Sequence, residues 1–178
     1  MEISSLQKGR PVDRRSKREE RAYDLLDELK IGYYRLDHDE AADMDSCERI
    51  GDILGVSISK NLFLCNRQKT SFYLLVMPGD KPFYTKDLSA QINSSRLSFA
   101  DSGAMLSYLD VTPGSVSVLC LANDTGNKVK LLIDEDVLKN EYFGCHPCLN
   151  TSSIRITTDD LINKILPGIN HTGTTVKL

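Results

Sequence analysis

The sequence predicts an α+β fold with a mixed, barrel-like β-sheet flanked by helices. Helical periodicities and apolar runs of strand length interleave along the chain without strict βαβ regularity. Its 178 residues suffice for one ordinary core and are short for two. No apolar run approaches the roughly 18 residues that a membrane span needs, so the chain reads as a folded body with no membrane partner.

The first helix is expected from about Ser16 to Lys30. Ala22, Leu25, Leu26 and Leu29 share one face at 3.6-residue spacing, Ser16 and Glu19 make a capping box, and Gly32 ends it. Tyr33 to Leu36 is a short strand. Asp45 and Glu48 then open a helix with the stripe Cys47, Ile50, Ile53 and Leu54, closed by Gly55. Asn61–Cys65 and Phe72–Met77 form a hairpin, and Pro78, Gly79 and Asp80 turn the chain.

Lys86 to Ile92 reads as a helix, Leu97 to Ala100 as an extended piece, and Asp101 as the cap of a helix reaching Leu109. Val116–Ala122 and Val129–Ile133 are continuous apolar runs that suit buried strands. Asp134–Leu138 is a short helix and Ile154–Ile156 a strand. Thr158 caps a last helix, Asp159–Leu166, stopped by Pro167 and Gly168. Residues 1–15 read as a basic N-terminal arm, 16–170 as one domain and 171–178 as a C-terminal tail, loose around His171.

Charge is uneven. Residues 1–21 carry seven basic and four acidic side chains, a net of +3, which leaves −6 on the remainder. The body is therefore no basic nucleic-acid platform, and the arm is either a polyanion contact or a solvated segment. The five cysteines are odd in number and mostly isolated, which argues against a disulfide scaffold. The first twenty residues have no apolar core of a secretory signal, so a cytoplasmic location is expected.

Nucleotide-binding, α/β-hydrolase and zincin motifs are all missing. Cys145-His146-Pro147-Cys148 is the loudest local signal. As a zinc site it lacks a second ligand pair, so no metal is assigned. As a redox pair it should stand at a helix N-terminus after a strand, whereas Leu149–Thr158 reads as loop and strand. Its third reading makes His146 a bulky polar head beside a pocket, with Pro147 fixing the backbone and the cysteines as wall residues. Lys60-Asn61 opens a strand, where a lysine can simply guard an edge. Pro113-Gly114-Ser115-Val116 is a tight turn whose glycine lets a backbone N–H approach a ligand.

Taken together, Lys60-Asn61-Leu62-Phe63-Leu64, Arg96-Leu97-Ser98-Phe99-Ala100, Val111-Thr112-Pro113-Gly114-Ser115-Val116, Ala122-Asn123-Asp124 and His146-Pro147-Cys148-Leu149-Asn150-Thr151 resemble, in this order, the freestanding prolyl-tRNA editing proteins. These are relatives of the editing domain inserted in bacterial prolyl-tRNA synthetase, in the YbaK-like superfamily. The resemblance covers about residues 16–170.

The resemblance implies the YbaK-type editing-domain fold and hydrolysis of mischarged tRNA(Pro), alanyl-tRNA(Pro) foremost, without a cofactor. A proline pocket cannot strongly exclude alanine, because a missing methylene or two is worth only about 1–3 kcal/mol, so a second site must sieve afterwards. By the match, Lys60 holds the terminal adenosine's phosphate or sugar, Asn61 hydrogen-bonds the substrate, and Gly114 and Ser115 present backbone donors to the ester oxygen. His146 is the wall of a small closed pocket, with Val116, Cys145, Pro147 and Asn150 around the substrate. The vicinal ribose hydroxyl assists hydrolysis. The implied partner is the tRNA(Pro) acceptor end, with prolyl-tRNA synthetase or the elongation machinery left open as a further partner. Cys145 and Cys148 depart from the small or apolar residues expected there, which leaves open a deacylase for cysteine, serine or threonine. A non-catalytic module that binds a tRNA end or a synthetase also stays open.

Overall fold

The computed structural model describes residues 1–41 and 43–178. Local signals set the first helices. In α1 (Lys17–Glu28) the Ser16 hydroxyl accepts from the Glu19 amide while the Glu19 carboxylate accepts from the Ser16 amide, the reciprocal capping box. Its buried face is Ala22, Tyr23 and Leu26. In α2 (Met44–Leu54) the cap is Asp43, which accepts from the Ser46 amide at 2.7 Å, and Gly55 ends the helix at φ +69°.

Nine strands are seen among the described residues, in two sheets. The four-stranded sheet is antiparallel, in the order β1 (Gln7–Lys8), β2 (Tyr34–Asp37), β8 (Ser152–Thr157), β7 (Tyr142–Cys145). The five-stranded sheet is mixed, in the order β5 (Leu97–Phe99), β3 (Ser59–Asn66), β4 (Phe72–Pro78), β6 (Val129–Asp134), β9 (Gly173–Val176), with β4, β6 and β9 parallel. The pairing order ends at β5 and β9, so the barrel-like closure expected from the sequence is not seen among the described residues. One parallel bridge, Ile58 to Gly144, joins the sheets at the start of β3 and in β7.

Strand β4 shows why its sequence is apolar throughout. Phe72, Leu74 and Val76 face the main core with Tyr23, Phe63 and Phe143, while Tyr73, Leu75 and Met77 face a second core under Leu88 of α3 (Thr85–Gln91). Beyond β5, α4 (Ser102–Ala104) is capped by Asp101 and continues in wider turns to Leu109. After β6, α5 (Glu135–Leu138) is capped by Asp134. The last helical stretch begins as α6 (Thr158–Asp160), capped by Thr157, and ends as α7 (Leu166–Gly168), which takes in Pro167.

The last helix differs from expectation in being capped by Thr157 rather than Thr158 and in running through Pro167, and three further segments differ more. The run expected as a strand at Val116–Ala122 is a 3-10 helix at Val118–Asn123, buried nearly all round, and an all-apolar run of that length carries no period to tell the two apart. Residues 173–176, read as a loose tail, form β9, and His171 is buried with its Nε2 3.2 Å from Asp124 Oδ2. The N-terminal arm is not free either. Its residues Gln7 and Lys8 pair with β2, Arg10 meets Glu20, Asp24 and Asp27, Arg15 meets Asp37, and Arg18 and Arg21 of α1 meet Asp110. Two of the arm's four basic side chains, Arg10 and Arg15, are thus held by acidic residues of the fold. No helix of the described residues is long and apolar enough to cross a membrane.

Candidate active site

The site is built where the two sheets part. Because β5 pairs only with residues 64–66 of β3, the first half of β3 has a free edge, and that edge meets β7 at the Ile58–Gly144 bridge. Gly144 permits the approach: a Cβ there would fall 3.0 Å from Val56 Cγ1 and 3.1 Å from Ile58 Cδ1. Lys60 and His146 each lie two residues past the bridge, at most about 7 Å of extended chain from it.

Lys60 is half-buried and donates to the Lys81 carbonyl at 3.1 Å, and among the described residues it forms no ion pair. Asn61 donates from Nδ2 to the Ser59 carbonyl at 3.3 Å, while its Oδ1 is buried without a partner. Such an orphaned acceptor costs about 1–3 kcal/mol unless something fills it.

His146 follows β7 directly. Its Nδ1 lies 3.0 Å from the Ser152 carbonyl and 3.4 Å from Ser153 Oγ, and burial pushes its pKa below the ordinary value, with the His38 ring adding to the effect. Pro147 is buried beneath it. Cys145 and Cys148 turn into the core, where Cys148 Sγ stands 3.0 Å from Cys120 Sγ. Burial drives the Cys145 and Cys120 thiols well above their ordinary range. Cys148 sits in a left-handed bend at φ +61°, and strand β8 rather than a helix follows it. This is the opposite of an activated redox pair.

The Pro113–Val116 turn is the third wall. Gly114 has φ +86°, a conformation that favours glycine, and a Cβ built on it would lie 3.6 Å from Asn150 Nδ2 and 3.9 Å from Glu40 Oε1. Asn150 is buried and donates to the Ala41 carbonyl at 3.1 Å, and its Oδ1, like that of Asn61, has no partner. Ser115 is tied to the same corner, since its carbonyl accepts from Cys120 Sγ at 3.8 Å. Its amide, expected as a donor to the ester oxygen, is instead held by the Thr112 carbonyl at 3.1 Å. Among the described residues the Gly114 amide carries no such bond. Val116 is buried in the main core.

The Gly114 turn thus meets Asn150, Ser115 is linked through Cys120 to Cys148, and Lys60 and Asn61 stand on the strand bridged to β7, which His146 follows. Sequence reasoning missed His38 and Ser153, whose link to His146 crosses the β2–β8 pairing. It also missed a cleft of about 680 Å³ whose lining includes Glu48, Asp52, Asp80 and Glu141 and none of the predicted residues. Four carboxylates make that cleft a poor place for phosphate. A second cavity of about 340 Å³, along β6 and β9, also excludes the predicted residues. The closed pocket expected beside His146 is therefore neither of these. A recess for one methyl group is only about as large as one water, roughly 30 Å³, far smaller than either cleft.

The chain matches the aminoacyl-tRNA editing domain over residues 38–164, a span that holds every predicted site residue. It is 33% identical over 154 residues to the prolyl-tRNA editing protein ProX of Acetoanaerobium sticklandii, covering 86% of this chain and 93% of that one. Prolyl-tRNA synthetase associated domain-containing protein 1 of Danio rerio is 29% identical over 165 residues, covering 91% of this chain and 86% of the relative. In fold, the solved structure of a candidate trans-editing enzyme for prolyl tRNA synthetase superposes with a TM-score of 0.66 at 13% identity, covering 93% of this chain and 99% of that one. The chain belongs to the aminoacyl-tRNA editing domain family.

Proposed function

We propose that the protein is a trans-editing aminoacyl-tRNA deacylase that clears mischarged tRNA(Pro), alanyl-tRNA(Pro) foremost. The observation that carries this reading is the pair of orphaned amide oxygens, Asn61 Oδ1 on β3 and Asn150 Oδ1 in the turn between β7 and β8, both buried without a partner among the described residues. Two buried acceptors without protein donors suit a ligand that brings its own, and an aminoacyl-adenosine end offers an α-ammonium, a ribose hydroxyl and adenine N–H groups.

Lys60 supplies the charge for the terminal phosphate, as a half-buried ammonium with no carboxylate partner. The Gly114 amide is the backbone donor for the ester oxygen as it gains charge. Water adds to the ester carbonyl carbon, the bond to the ribose oxygen breaks, and that oxygen takes the proton, giving alanine and free tRNA. The vicinal hydroxyl of the ribose assists, so positioning supplies most of the rate. His146 limits the side chain that enters. The acceptor end of tRNA(Pro) is the partner, and contact limited to it needs few basic residues, which fits an arm whose Arg10 and Arg15 are already paired.

The test follows amino acid released from alanyl-, seryl-, threonyl- and cysteinyl-tRNA. The reading expects alanyl-tRNA(Pro) to be cleared fastest, with Asn61→Ala and Asn150→Ala each slowing release by about 10- to 100-fold through loss of a charge-assisted hydrogen bond. Faster release of another amino acid would reassign the substrate, and tight binding without release would mark a non-catalytic module.

A further inference from the structure

The ring of His146 is not held by its own loop alone. His38, just past β2, has Nδ1 2.7 Å from the Asp39 carbonyl and Nε2 2.9 Å from Ser153 Oγ, and Ser153 Oγ in turn lies 3.4 Å from His146 Nδ1. The two imidazole centroids are 6.3 Å apart. A carbonyl can only accept, so His38 carries its proton on Nδ1 and offers Nε2 as an acceptor. The one hydroxyl proton of Ser153 therefore goes to His38, leaving an oxygen lone pair toward His146. The other neighbour of His146 Nδ1 is the Ser152 carbonyl at 3.0 Å, again an acceptor. Both groups facing Nδ1 demand a proton there, so in the neutral ring Nε2 is bare. Among the described residues His146 Nε2 has no hydrogen-bond partner, while its backbone neighbours Cys145 and Pro147 are buried.

We propose that His38 and Ser153 are positioning residues that lock His146 in the Nδ1–H tautomer and so present Nε2 to the substrate as a hydrogen-bond acceptor for the α-ammonium of the aminoacyl ester. This role rests on the deacylase reading and deepens it, turning His146 from a passive wall into a group that orients the amino acid. His38 lies just past β2 and Ser153 in β8, they are 115 residues apart in sequence, and both are buried. Without His38, the Ser153 hydroxyl is free to donate to His146 Nδ1. That donation competes with the nearer Ser152 carbonyl for Nδ1 and raises the share of the tautomer with the proton on Nε2, a donor facing a cation.

Two variants separate chemistry from bulk. His38→Gln places a carbonyl oxygen near the former Nε2, whereas His38→Phe keeps the ring without an acceptor. Two-bond ¹H–¹⁵N correlations on ¹⁵N-histidine-labelled protein read the tautomer of His146 directly, with only three histidines to assign. The proposal expects Nδ1–H in the wild type and in His38→Gln, and a shift toward Nε2–H in His38→Phe. In the deacylation assay, kcat falls about 10- to 100-fold in His38→Phe and recovers in His38→Gln. A lactyl ester, with hydroxyl in place of ammonium, should be far less sensitive to His38→Phe than the alanyl ester. Nε2–H in the wild type overturns the proposal, as does equal kcat in His38→Phe and His38→Gln. The tautomer is read without substrate, so a protein with Nδ1–H locked by His38 but no deacylase activity would overturn the functional reading and leave the lock standing.

Discussion

Ile58 and Gly144 are bridged across the junction of the two sheets, and the absence of a side chain on Gly144 is what lets β3 and β7 meet there. Because Lys60 and His146 each follow the bridge by two residues, their separation depends on it. Gly144→Val should push the strands apart at an overpacking cost of about 1–3 kcal/mol. The expected outcome is a modest drop in melting temperature and a fall of tenfold or more in kcat/KM, measured by thermal unfolding and steady-state deacylation. A variant that loses stability but keeps full activity would show that the bridge does not set the site.

Lys60 should act as a point charge on phosphate. Lys60→Ala is expected to raise KM by about tenfold and to lower the slope of log affinity against log salt by about one, the signature of one lost phosphate contact. An unchanged slope would move Lys60 out of the nucleic-acid contact.

The pH profile should report His146. Burial is the main cause of its lowered pKa and the His38 ring adds to it, so the folded ring stays neutral at pH values where the unfolded chain, near 6.5, already takes up a proton. Between the two values the unfolded state binds more protons, so this group makes stability fall as pH drops through 6.5 until the folded ring is protonated as well. For activity, the acid limb of kcat/KM should set in only below 6.5, as the folded ring takes up its proton. A midpoint at or above 6.5 would contradict the buried, neutral ring.

His171 pins the C-terminal strand. Its Nδ1 faces the Ile169 carbonyl at 2.9 Å and its Nε2 faces Asp124 Oδ2, which also accepts the Val129 amide at 2.7 Å. His171→Ala should destabilise by about 1–3 kcal/mol through an unmatched buried carboxylate, lowering the melting temperature by several degrees with kcat unchanged. A fall in kcat without loss of stability would place β9 in the site's workings instead.

What the sequence made legible follows from range. The capping box at Ser16 and Glu19, the Gly55 stop and the two-faced apolar strand Phe72–Met77 are local signals, and each has its element. The 3-10 helix Val118–Asn123 was not legible because burial on all sides erases periodicity. Strands β1 and β9 are short and draw their stability from distant partners, so residues 1–15 and 171–178 looked loose. Arg10 and Arg15 of the arm and Arg18 and Arg21 of α1 looked available because Asp24, Asp27, Asp37 and Asp110 reach them only in the fold. Within the site, Lys60, Asn61, Gly114, His146 and Asn150 stood out as a motif set. The Ser115 amide did not show itself as engaged, and His38 and Ser153 carry no local pattern at all.

The most direct test compares release of alanine from alanyl-tRNA(Pro) with release of proline from prolyl-tRNA(Pro), for the wild type and for His146→Ala. The account predicts that the wild type clears the alanyl ester and spares the prolyl ester, while His146→Ala gains activity on the prolyl ester. Equal treatment of both esters by the wild type, or no release of alanine at all, would contradict it.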